Sequence, residues 1–168
     1  MELAYFLGEP AIIKLFRLDP SRDDVTKLMA RICRPKAEVL DSLMAKGARI
    51  NDKPNGGSSL LHSCLWSMSL DSHPRSGPTF HASPWDMKML IERGARFVPD
   101  GARELRIARE AILGQNTYRN DHIRLLAYAA EPAVIRKLLD APKMQQAFGG
   151  TPDDVMRRLR INFGETEQ

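Results

Sequence analysis

The run Leu43-Met44-Ala45-Lys46-Gly47-Ala48-Arg49-Ile50 returns as Leu90-Ile91-Glu92-Arg93-Gly94-Ala95-Arg96-Phe97. The two align without a gap; Leu, Gly, Ala and Arg are identical, and Met/Ile and Lys/Arg exchange like for like. Self-similarity at a fixed spacing marks an array built from one supersecondary unit, so it decides the architecture ahead of other signals. In each copy an apolar run at helical spacing (Val39, Leu40, Leu43, Met44; then Met87, Leu90, Ile91) leads to a cation and a Gly. That pattern predicts an amphipathic helix with a basic residue at its negative end and a Gly of positive φ at its C-cap.

Asp52-Lys53-Pro54-Asn55-Gly56-Gly57 follows the first copy and has the composition of a tight turn. Ser58 or Ser59 can then cap a new helix whose first turn carries Leu60, Leu61 and His62. Over Gly47–Cys64 the chain resembles the ankyrin repeat, whose pattern is roughly Gly-Ala-Asp-Val-Asn-Ala-Lys-Asp-x-x-Gly-x-Thr-Pro-Leu-His-x-Ala. Gly47, Ala48, Asn51, Lys53, Gly57, Leu61 and His62 match it; Ile50 and Ser59 are conservative, and Arg49, Leu60 and Cys64 depart. The likeness is good over Lys36–Gly47 and Trp85–Phe97 and weak elsewhere.

The resemblance implies an all-α, ankyrin-like helix-pair solenoid of about four pairs. Ankyrin units are about 33 residues long. Gly94 follows Gly47 by 47 residues, so about 14 residues are inserted in the second repeat. The expected single domain has an N-terminal cap over 1–20, its best repeats over 24–97, and degenerate repeats or a helical cap over 98–168. Expected helices lie at Pro10–Leu18, Asp24–Cys33, Lys36–Lys46, Ser59–Met68, Pro84–Arg93, Arg103–Leu113 and Asp121–Ala130. Another starts at Pro132, where Ala141-Pro142 closes it. The last starts at Thr151-Pro152-Asp153-Asp154 and ends near Arg160, with Thr151 as N-cap and Pro in the first turn. Ser69–Ser83 reads as a long loop of the kind that is either functional or disordered.

Composition narrows the class. At 168 residues with 43% hydrophobic and 27% charged content, the chain is globular rather than disordered. The net charge of +4, carried mostly by Arg, favours an acidic partner surface. Two cysteines in apolar helical contexts suit a reducing compartment rather than a disulfide scaffold. With no basic leader and no apolar run of membrane length, the expectation is a cytoplasmic protein, a secreted effector being the variant on that reading.

Candidate chemistry is sparse. His62, Cys64, His73 and His81 are the metal-type ligands, but their spacing fits no usual zinc pattern, and His62 and Cys64 fall at structural ankyrin positions. Cys64 and His62 lie two apart on a helix and point to different sides, so they make a poor nucleophile–base pair. The expectation is therefore no enzyme, no metal and no cofactor.

Arg103, Arg106 and Arg109 recur every three residues, read either as a solvated face or as an anion-complementary stripe; Arg157, Arg158 and Arg160 form a second group. Trp66 sits at a variable ankyrin position and reads as an interface anchor or as core, whereas Trp85 reads as a staple beside the long loop. The resulting contact set is Lys53, Asn55, Trp66, His73, Arg75, Phe80, His81, Arg103 and Arg106. It serves a non-catalytic protein-binding module with an acidic partner. Inhibition, as by an immunity protein or antitoxin, scaffolding and host-protein capture by an effector are the roles such a surface serves. The alternative is a nucleic-acid-binding helical repeat using the Arg stripes.

Overall fold

Proline starts four of the eight described helices, at Pro84, Pro132, Pro142 and Pro152, where its fixed φ suits the first turn and its missing N–H costs nothing. The computed structural model describes residues 36–53, 58–70, 83–114 and 117–161, with side chains of 67–70 left aside. The expected helices at Pro10–Leu18 and Asp24–Cys33, the finger tip 54–57 and loop residues 71–82 lie outside the described residues. The helices are α1 (Ala37–Ala45), α2 (Leu60–Leu70), α3 (Pro84–Glu92), α4 (Ala102–Gly114), α5 (Arg119–Ala129), α6 (Pro132–Leu139), α7 (Pro142–Phe148) and α8 (Pro152–Arg158). There is no strand among the described residues.

The repeated octapeptide closes its helix in the same way both times. Gly47 and Gly94 are left-handed, at φ 98° and 86°. The Gly47 amide donates to the Met44 carbonyl at 2.9 Å, and the Ala48 amide reaches back to Leu43 at 3.0 Å. The Gly94 amide bonds Ile91 at 2.9 Å, and the Ala95 amide bonds Leu90 at 3.0 Å. Each pair is a Schellman motif, which satisfies carbonyls that a bare helix end would orphan. Its usual apolar partners, Leu43 with Ala48 and Leu90 with Ala95, are all buried.

A third such cap follows α8. The Arg160 amide bonds Arg157 at 3.1 Å, and the Ile161 amide bonds Met156 at 3.0 Å. Here an Arg, not a Gly, holds the left-handed position, at φ 52°.

Helices pack on neighbours two along the chain. α2 lies most extensively against α4, and α3 against α5, while α2 also meets α3 and α4 meets α5. Further on, α6 packs on α4 and α8. One core runs through these layers from Val39 to Leu159, with Leu40, Leu61, Leu90, Phe97, Ile112 and Leu138 among its fully buried side chains. Each such side chain contributes about 1.5–3 kcal/mol through its removal from water. Asp41, midway along α1, accepts two bonds from Arg93 at the end of α3, at 2.7 and 2.9 Å. The hydrogen bonds from Arg93, and its charge after them, hold the Asp41 carboxyl below its usual range against partial desolvation.

Ser83 and Thr151 each form a capping box, with Asp86 and Asp154 respectively, so α3 and α8 begin where the sequence predicts. One expectation needs correction. Ala141-Pro142 does not merely close α6; it opens α7, a helix that the reading passed over. Proline that stops one helix can start the next. Met144 and Phe148, four apart, put one buried stripe on this short helix, and left-handed Gly149 ends it.

A side chain added at Gly94 would meet nothing within 4 Å, so substitution there tests the backbone alone. Gly94→Ala is expected to cost about 1 kcal/mol by denaturant titration, and Gly47→Val about 1–2 kcal/mol. Gly114→Ala, at the end of α4 with equally open space, should instead stabilise by about 0.5 kcal/mol.

Candidate functional site

The loops that follow Gly47 and Gly94 lie against each other. Asn51 donates through Nδ2 to the Gly94 carbonyl at 2.9 Å and accepts the Arg96 amide on Oδ1 at 2.7 Å. One carboxamide thus serves a donor and an acceptor of the next loop, as its two-sided chemistry permits. The second loop continues the chain of contacts, since the Phe97 amide donates to Ala129 at the end of α5, at 2.7 Å.

Below this bridge lies a polar network. Lys53 Nζ donates to the Val98 carbonyl at 3.2 Å, pairs with Asp100 at 2.5 Å and sits 3.5 Å from Glu104. Glu104 also accepts the Asp100 amide at 2.6 Å. His62 Nδ1 shares a 2.7 Å bond with Ser59 Oγ, and its ring stacks at a tilt on Phe97, centroids 5.0 Å apart. Its Nε2 comes to 3.3 Å from Glu104 Oε2 but makes no aligned hydrogen bond. Burial lowers the His62 pKa; Glu104 and Asp100 act the other way, and Lys53 reinforces the lowering. Ser59 and His62 are both buried, so their bond lies within the first turn of α2, against Phe97. The buried Cys64 thiol is pushed well above its usual range, first by desolvation and then by Asp86, so it stays protonated.

Trp66 and Arg103 meet across α2 and α4. The Arg103 guanidinium lies 5.2 Å from the half-buried indole ring, a cation–π contact. They border a groove of about 510 Å3 whose floor includes Ile107 and whose rim includes Ser58, Asp100 and Glu104. Arg106, two-thirds exposed, pairs with Glu110 at 2.7 Å. The predicted contact residues Lys53, Trp66, Arg103 and Arg106 therefore fall on the α2–α4 side, with Lys53's ammonium occupied inside the fold. Asn55, His73, Arg75, Phe80 and His81 lie outside the described residues.

The Arg103–Arg106–Arg109 stripe does not hold together. Steps of three residues drift by about 60° on a helix, and the drift turns Arg109 away. Arg109 donates to the Lys137 and Leu138 carbonyls at 2.6 and 3.0 Å, at the C-terminal end of α6. The same use recurs: Arg119 bonds Ala147 at 3.0 Å, Arg124 bonds Leu159 at 3.2 Å, and Arg158 bonds both Phe148 and Gly149. Each guanidinium satisfies carbonyls at a helix end, where a positive charge also meets the negative pole of the helix. These four arginines thereby serve the fold. Trp85 is 75% exposed, with Lys88 Nζ 5.8 Å from its ring, and loop residues 71–82, which it was expected to staple, lie outside the described residues. Among the described residues, no helix is long and apolar enough to cross a membrane.

His122 on α5 is fully buried, and neither ring nitrogen makes a well-aligned hydrogen bond. Burial lowers its pKa, opposed by Asp121 and by the Tyr118 backbone. Both His62 and His122 are thus held neutral in the fold, below the ordinary value of 6.5. Their contribution is complete above 6.5 and is lost as pH falls below it, because the unfolded chain binds protons that the native chain refuses. His122→Leu should stabilise the protein by about 1 kcal/mol at pH 7.5. It should also flatten the decline of the thermal midpoint between pH 7.5 and 5.5.

Compared with protein-family models, with curated proteins and with solved structures, the chain finds no match.

Proposed function

We propose that this chain is a short ankyrin-like helix-pair solenoid that acts as a non-catalytic protein-binding module. Its binding surface lies along α2 and α4, centred on Trp66, Arg103 and Arg106, and takes an acidic partner surface. The observation that carries the reading is the Trp66–Arg103 stack at the edge of an open groove. Trp and Arg are the residues most often found as binding hot spots, and stacking restrains the Arg103 side chain before any partner arrives. Support for the solenoid comes from like helices packing two along the chain and from the Asn51 bridge between successive loops. Rigid stacked units leave such a surface free to vary without disturbing the core. Inhibition of an acidic target is the role this reading favours for the Arg103 and Arg106 cations.

Affinity capture from source-cell lysate, with and without nuclease and read by mass spectrometry, tests the proposal. One protein recovered in both samples supports it, provided that purified partner binds Arg103→Ala about 30-fold more weakly, the size of a hot-spot loss. Recovery that collapses with nuclease would transfer Arg103 and Arg106 to a nucleic-acid role. Undiminished binding by Arg103→Ala would remove the groove from the account.

A further inference from the structure

The α3–α5 layer carries a surface that the α2–α4 groove does not use. Trp85 at the start of α3, Tyr118 before α5 and Tyr128 near its end are 75%, 48% and 76% exposed. They are three of the four large apolar side chains that the described residues leave in water, the fourth being Val98. Two adjoining hollows hold them. One, of about 420 Å3, is walled by Pro84, Trp85, Tyr118 and Leu125. The other, of about 310 Å3, is walled by Ala127, Tyr128, Leu159 and Ile161. Arg124 borders both, which makes the surface continuous. Aromatic area gathered in this way on a surface marks an interaction site more often than single exposed residues do.

Charge says what kind of partner fits. Lys88, Arg124 and Arg160 line the hollows against one carboxylate, Asp121. Lys88 has only a loose pairing with Glu92 at 3.7 Å, with both side chains more than half exposed. Arg124 is anchored on the Leu159 carbonyl and reaches Asp121 at 3.4 Å. Arg160 differs from the arginines that cap helix ends, for its guanidinium has no hydrogen-bond or ion-pair partner among the described residues. It occupies the left-handed cap position that Gly47 and Gly94 fill in the earlier copies. A side chain there costs strain that a Gly would avoid, and its cation stands at the rim of the second hollow. A second copy of the chain would bring the same positive excess to the interface.

We propose that this α3–α5 surface is a second docking site, which takes an acidic protein segment bearing an apolar anchor. The anchor enters beside Trp85 or Tyr128, and its flanking carboxylates meet Lys88, Arg124 and Arg160.

The test is selection of a random dodecapeptide display library on the purified protein, followed by fluorescence anisotropy with the recovered peptides. Expected are sequences rich in Asp and Glu around a Leu, Phe or Trp. Their affinity should fall at least tenfold in Trp85→Ala/Tyr128→Ser and several-fold in Arg160→Gly, and be unchanged in Arg103→Ala. Arg160→Gly should leave the thermal midpoint equal or higher, so its loss of binding cannot be a loss of folding. No specific binder, binders without acidic enrichment, or full affinity in the double variant would each overturn the proposal. Sensitivity to Arg103→Ala instead would move the peptide to the α2–α4 groove and overturn it too. A dimer in sedimentation that the double variant dissolves would overturn it in favour of self-association. Because none of the supporting variants touches Trp66 or Arg103, the two surfaces stand or fall separately.

Discussion

Asn51 sets the spacing of the first two described loops. Its carboxamide fills a carbonyl and an amide of the neighbouring loop at 2.9 and 2.7 Å, so the two loops cannot slide without breaking both bonds. Two Schellman caps make that meeting possible. They turn the chain out of α1 and α3 by the same route, so like helices bring like loops to the same side. From there the consequences run inward. Lys53 reaches Val98 and Asp100, Glu104 is drawn beneath the loop, and His62 is fixed between Ser59 and Phe97. The groove beside Trp66 exists because α2 and α4 are held side by side in this way.

Toward the C-terminus the structure relies on a different device. Helices α6, α7 and α8 are only eight, seven and seven residues long. A helix that short leaves most of its end groups unpaired, and arginines from neighbouring elements supply the missing donors. A basic chain was therefore a poor guide to a basic binding surface. Among the described residues, the cations beside the two hollowed surfaces are Arg103, with Arg106 next to it on α4, and Lys88 with Arg124 and Arg160.

What could be read in the sequence follows the range of the interaction involved. Gly47 and Gly94 announce left-handed caps because no other residue takes that conformation cheaply, and Thr151 announces a helix start through local hydrogen bonds. All these are settled within a few residues. Asn51 could be placed in a turn, but its partners lie more than forty residues away and leave no local mark. Arg109 looked like part of a stripe because helical periodicity knows nothing of α6. Helix α7 was hidden for another reason: seven residues hold a single apolar pair, Met144 and Phe148, too few to show a period. Trp66 and Arg103 were each legible as contact candidates, while their stacking on one another was not. The exposure of Trp85 beside Lys88 is likewise visible only in the fold.

Hydrogen exchange at the Arg96 amide tests the stacked-loop arrangement most directly. Arg96 is an exposed residue whose amide donates to Asn51, so slowing that disappears with Asn51 reports that bond. The account predicts an amide protected at least tenfold over a free loop in the native protein. In Asn51→Ala that protection should vanish, while the Ala95 amide, bonded within its own cap to Leu90, stays slow. An Arg96 amide that exchanges at the free-loop rate in the unmodified protein would contradict the account. The octapeptides would then be two similar helix ends, and not successive units of one stack.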